Sequence, residues 1–163
     1  MATSASLSTS GGTAGVGTFT VTCAGATDAP GNTSASTSVS YSVIYSWSGF
    51  FQPIDNKDAS GNYILNKAKS GSTIPVKFSL AGDRGLAILE TGFPASISIP
   101  CISGAAIDAL EEYTTATSGL KYDASANHYH YNWKTGSWAG TCRQLVVKLN
   151  DGTEHRANFQ FVK

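Results

Sequence analysis

Residues 73–80, Thr-Ile-Pro-Val-Lys-Phe-Ser-Leu, alternate without a break: Ile74, Val76, Phe78 and Leu80 fall on one side, and Thr73, Pro75, Lys77 and Ser79 on the other. A period of two marks a half-buried strand, because successive side chains leave a strand on opposite faces. Pro75 stands near the start of the run, where a missing N–H costs least. The same period returns at Thr18–Cys23 (Phe19, Val21, Cys23), in a long stretch from Ser34 to Trp47 (Val39, Tyr41, Val43, Tyr45, Trp47), and at Ala95–Cys101. It returns again at His128–Trp133, Arg143–Leu149 and Glu154–Val162. Turn signals separate the runs: Thr27-Asp-Ala-Pro-Gly-Asn32, Asn56-Lys-Asp-Ala-Ser-Gly-Asn62, Gly82-Asp-Arg-Gly85, Asp123-Ala-Ser-Ala-Asn127 and Asn150-Asp-Gly152. Many short alternating runs at this spacing predict an all-β chain, an Ig-like β-sandwich of antiparallel strands.

Some segments read differently. Residues 1–15 are rich in Ser, Gly and Thr and read as a flexible lead. They have neither a basic start nor an apolar segment, so a secreted chain of this sequence is expected to be a mature or excised piece. Tyr63–Leu65 and Leu120–Tyr122 are short strand candidates. Ala105–Glu112, with Ile107 and Leu110 at i and i+3, is the one short helix expected. Gly49-Phe-Phe-Gln-Pro-Ile-Asp55 reads as a joint, dividing the chain into residues 1–46 and 47–163.

Composition narrows the class. Of 163 residues, 41% are hydrophobic, enough for a core, but only 13% are charged, against a usual share of about 25%. Hydroxyl side chains take the place of Lys and Glu, a habit of extracellular β-modules. The formal net charge is zero, and no basic patch offers the electrostatic footprint of a nucleic-acid binder. No apolar run approaches the roughly 20 residues that span a bilayer as a helix. Cys23, Cys101 and Cys142 lack CxxC spacing, which argues against a zinc knuckle or a thioredoxin-type site. A Cys101–Cys142 bridge would close a loop of about 40 residues. Cys23 is then odd: a buried free thiol, a thiol with a partner upstream of Met1, or one half of an intermolecular bridge.

The motifs from residue 47 onward resemble the PxKF domain family of bacterial extracellular proteins. The resemblance rests on Lys69-Ser-Gly-Ser-Thr73 before Pro75-Val-Lys-Phe78, then Gly82-Asp-Arg-Gly-Leu86 and Leu120-Lys-Tyr-Asp123. Tyr129-His-Tyr-Asn-Trp-Lys-Thr135, Trp138-Ala-Gly-Thr-Cys-Arg-Gln-Leu145, Asp151-Gly-Thr-Glu-His155 and Phe159-Gln-Phe161 extend it. The first 46 residues look like the last strands of an Ig-like module of the HYR type, on Phe19-Thr-Val-Thr22, Ala26-Thr-Asp28, Gly31-Asn32 and the Val39–Tyr45 strand. What the resemblance implies is architecture and an extracellular or cell-surface location, with no established activity.

Candidate sites follow from residue chemistry. Lys77 is the family's namesake; a lysine beside Asn or Asp can form an isopeptide bond, but alternation places Lys77 on the outer face, as a rim lysine. His128 and His130, at i and i+2, share a strand face and make half of a metal site, with His155 as a third ligand if its strand pairs nearby. Asp55, Asp58, Ser60 and Asn62 gather oxygen ligands around Gly61 that suit calcium, although turn chemistry alone accounts for them. Trp47, Trp133 and Trp138, with Phe50 and Phe51, form a candidate platform for stacking on sugar rings, against the plainer reading as core. Asp108, Glu111 and Glu112 read as the charged face of the short helix. There is no GxSxG elbow, HExxH motif or phosphate-binding glycine loop. The expectation is a non-catalytic extracellular structural module without a cofactor: a spacer, a stalk or an assembly unit, joined to itself or to neighbouring domains, with a self-assembling filament subunit by strand addition as one form of it. The alternative is a polysaccharide-binding accessory module.

Overall fold

The computed structural model of the protein describes residues 6–101 and 104–163. Among them there are twelve strands and no helix. The chain divides into two compact units: described residues up to Tyr45 with Asn150–Gly152, and Ser46–Leu149 with Thr153–Lys163.

In the first unit, β1 (Ser6–Thr13), β2 (Val16–Ala24) and β3 (Thr37–Val43) form an antiparallel sheet in chain order. The expectation of a flexible lead fails for residues 6–13, which pair along β2 from Ser6↔Ala24 to Thr13↔Val16. This strand carries no apolar period, because what holds it is the backbone ladder. Its turn is Ala14-Gly15, with φ of 51° and 84°, the double positive φ of a type I′ hairpin that the strand twist favours. The strand predicted from Ser34 to Trp47 is shorter, ending at Val43, and Trp47 belongs to the second unit.

The second unit is a sandwich of two sheets. One, β4-β6-β10-β9, contains β4 (Ser48–Phe51), β6 (Thr73–Ser79), β9 (Leu120–Asp123) and β10 (His128–Lys134). The other, β7-β11-β12-β5-β8, contains β5 (Leu65–Lys69), β7 (Ala95–Ile99), β8 (Ile107–Ala109), β11 (Cys142–Lys148) and β12 (Glu154–Val162). Pairing is antiparallel except for β12 with β5 and β5 with β8, which are parallel. Ile74, Val76, Phe78 and Leu80 are all fully buried, as the alternation of β6 requires. They share the core with Tyr129, Leu145, Val147, Ala157, Phe159 and Phe161. Across the two sheets, Trp133 of β10 meets the rings of Phe159 and Phe161 at 5.0 and 6.0 Å. Pro75 faces Asn132, whose N–H donates to Gly119 on the far side of β10. The Pro75–Asn132 pair is therefore a non-hydrogen-bonded one, and the imide costs the ladder nothing.

The disulfide forms between Cys101, two residues past β7, and Cys142, the first residue of β11. Cys142 is buried and lies opposite Ile99. The predicted helix over 105–112 is instead the short edge strand β8. Ile107 is exposed and Leu110 buried, so the i, i+3 pair shares no face. The extended form wins because β5 has an open edge: Leu65 N–H donates to Ala106 and Leu110 N–H to Lys67.

Two turns repeat one design. Asp28-Ala-Pro-Gly-Asn32 and Asp58-Ala-Ser-Gly-Asn62 are each closed by a bridge, Thr27↔Thr33 and Lys57↔Tyr63. In each, the Asp carboxylate accepts the Asn backbone N–H (2.8 and 2.9 Å) and faces the Asn side-chain amide. Gly31 and Gly61 supply the positive φ, at 95° and 83°. Asp123-Ala-Ser-Ala-Asn127 is a variant in which Asn127 itself takes a φ of 55°.

Candidate functional site

Three carboxylates converge at the edge of the second unit. Asp55 follows β4 on the strap that leads to β5. Its backbone is clamped by Asn66 of β5: Asp55 N–H donates to Asn66 Oδ1 (2.8 Å), and Asn66 Nδ2 donates to the Asp55 carbonyl (2.7 Å). The same amide reaches the Asn158 carbonyl at 2.9 Å, so this buried side chain is fully used. Asp108 is the register partner of Asn66 in the β5–β8 ladder, which brings its side chain to Asp55. Glu111 completes the group, one carboxylate oxygen from each residue lying within 4.8 Å of the others. Gln52 Nε2 donates to Asp55 Oδ1 at 2.9 Å. The hydrogen bond with Asp108 is the main reason the Asp55 carboxyl is raised above the ordinary aspartate value, with burial and the charges of Asp108 and Glu111 adding to it. Hard carboxylate oxygens at this spacing suit a divalent cation such as calcium.

Asp58, grouped with Asp55 in the sequence, is used differently. It accepts N–H groups from Ser60 and Asn62 at 2.9 Å, and these turn bonds, those of Asn62 first, hold its carboxyl below the ordinary value. Asp108 and Glu111 were missed as partners because they were assigned to a helix. Reading Ala105–Ala109 as extended would have placed an acid at the edge of β5.

Lys77, His128 and His130 lie on the outer side of the β6–β10 pair. Lys77 stands opposite His130 and Phe51. Its Nζ is 2.6 Å from Glu112 Oε2, with side-chain exposures of 20% and 51%, so the acyl group within reach is a glutamate. The His128 ring stacks on Phe51 at 4.0 Å and lies 6.3 Å from the His130 ring. His130 is kept below the ordinary histidine value by burial first and by Lys77 second. His155 lies on β12, its ring parallel to Trp47 at 3.6 Å, with Thr153 Oγ1 3.3 Å from its Nε2.

The tryptophans do not line up as a platform. Trp133 is buried, 5% exposed, between the sheets and has no face for a sugar. Trp47 lies parallel to His155 and Phe78 and donates its indole N–H to the Gly49 carbonyl. Trp138 packs over Gly136, where a Cβ would fall 2.7 Å from its ring, and carries Arg143 above it at 4.2 Å. Sequence period alone could not distinguish these packed rings from exposed ones.

No family model matches the chain, and no curated protein matches it significantly.

Proposed function

We propose that the protein is a non-catalytic structural module of an extracellular or cell-surface bacterial chain, a spacer, stalk or assembly unit whose second unit is a PxKF-like sandwich. The observation that carries this reading is the Cys101–Cys142 bridge, which ties the β7 end to β11 in an all-β unit. A structural disulfide of this kind, with Cys142 buried, persists in an oxidising compartment. A surface low in charge and rich in hydroxyls supports the same placement, as does the resemblance of Pro75-Val-Lys-Phe78 and its companion motifs. The test is to alkylate intact source cells, then extract the protein and map its thiols, with surface biotinylation in parallel. The reading expects Cys101 and Cys142 to be protected as a disulfide and the lysines to be labelled from outside. Reduced cysteines in an unlabelled protein would overturn it.

A further inference from the structure

The β1–β2–β3 sheet has one mostly apolar face, which also carries Thr9, Gly11 and Thr37, and one hydroxyl face. Register partners share a side, so Leu7, Phe19, Val21, Cys23, Val39, Tyr41 and Val43 lie together, through Leu7↔Cys23, Phe19↔Tyr41, Val21↔Val39 and Gly17↔Val43. The opposite face is closed by its own ladder: Thr18–Ser42, Thr20–Ser40 and Thr22–Ser38 at 3.2, 2.8 and 2.7 Å. That face needs no partner. The apolar one does: Leu7, Val39, Tyr41 and Val43 are 73, 64, 49 and 37% exposed.

The face is interrupted by a bulge between Gly11 and Thr13, over which the Phe19 ring packs. Phe19 stacks on Tyr41 at 5.6 Å and lies over Gly12, where a Cβ would come within 2.2 Å of the ring. It is also uncharged, since Asp28 is the only charged side chain in residues 1–54 and sits in a turn. An uncharged face selects no partner by charge and meets an identical face without repulsion, which favours a second copy of this chain. The area suits a weak pair. Three strands of about seven residues cover roughly 14 × 24 Å in projection, and protruding side chains add to that. Two such faces together remove at least about 670 Å² from water, below the roughly 1,200 Å² of a stable interface and in the range of a weak, transient one.

We infer that the apolar face of β1–β2–β3 is a docking surface for the same face of a second copy, the two sheets packing about 10 Å apart as a two-fold symmetric sandwich. The inference rests on the reading of the chain as an assembly unit and names the surface that does the assembling. It differs from strand addition at the sheet edges, which would extend a polymer.

Sedimentation of the full chain from about 5 to 200 μM, in enough reductant to keep Cys23 a thiol, tests it, the range being that in which a weak, transient pair is visible. The expected result is a monomer–dimer equilibrium that stops at two copies. Val39→Glu, and separately Leu7→Glu, weaken the dimer at least about 30-fold by burying an unpaired charge on each side. Ser40→Glu, on the hydroxyl face, leaves it within about threefold, since its charge stays in water. A thermal melt of each variant checks that both units remain folded, and Leu7→Glu decides if Val39→Glu does not fold. A monomer throughout, an open-ended polymer, or a dimer lost equally in Ser40→Glu each overturns the inference. The thiol mapping and surface labelling stand apart from all of these, so a failed dimer and a wrong location are distinguishable.

Discussion

At the residue scale, the fold opposes ionisation of the Asp55 carboxyl. Its hydrogen bond with Asp108 raises its folded value above the ordinary 3.8. A proton held more tightly in the folded state means that the stabilisation is complete below the unfolded value and is lost as pH rises through the folded one. Asp108→Asn should therefore melt higher than the parent at pH 7 and level with it near pH 3, read by scanning calorimetry at both. A divalent cation bound by the three carboxylates would relieve the same repulsion. Calcium against chelator should then raise the melting temperature of the parent and not of Asp108→Asn; an unchanged parent melt would dismiss the cation site. Asn66 is the other residue on which this corner depends, with its three hydrogen bonds to the Asp55 backbone and Asn158. Asn66→Ala strands these buried groups and should cost about 2–3 kcal/mol in denaturant unfolding. Asp55 was legible as a candidate oxygen ligand from its residue type. Its partners Asp108 and Glu111 were not, because only register across a parallel pair brings them near.

At the scale of elements, four of the strands that alternate in sequence, β6, β10, β11 and β12, build the core, while β2, β3 and β7 alternate and leave apolar side chains such as Tyr41 and Ile97 exposed. In β6, β11 and β12 the apolar positions predicted to face inward are buried, because a sheet covered by a second sheet has one dry face and period two selects it. Three elements were missed: β4, whose Gly49-Phe-Phe51 reads as a joint but pairs with β6, and β1 and β8, held by hydrogen bonding alone. β1 presents Ser, Thr and Gly with a single Leu, and β8 is three residues capping an open edge. Neither carries a hydrophobic period, so neither could announce itself. The disulfide acts at this scale too, closing 41 residues between the β7 and β11 ends. Replacing both Cys101 and Cys142 by Ala should lower unfolding free energy by about 3–4 kcal/mol, mostly through a freer unfolded chain. A guanidinium titration measures it, with the slope expected to change as the unfolded state expands.

At the scale of the whole molecule, the two units differ in how much of their apolar surface is removed from water. The second unit has a buried core with Phe78, Tyr129, Phe159 and Phe161 at its centre, while the first leaves Leu7, Val39 and Tyr41 exposed. Amides in β1–β3 should therefore exchange with deuterium faster than those of β6, β10, β11 and β12 at low protein concentration. Uniform protection across both sets would contradict that ranking. The sequence by itself determined the all-β class, the inward faces of β6, β10, β11 and β12 and most turns, since these depend on local period and on Asp, Asn, Gly and Pro at fixed offsets. Only the tertiary structure decided that β5 pairs in parallel with β12 and β8, that Asp108 meets Asp55, and that the face of β3 predicted as apolar stays uncovered. Those outcomes depend on which distant strand satisfies an open edge, and no local pattern carries that information.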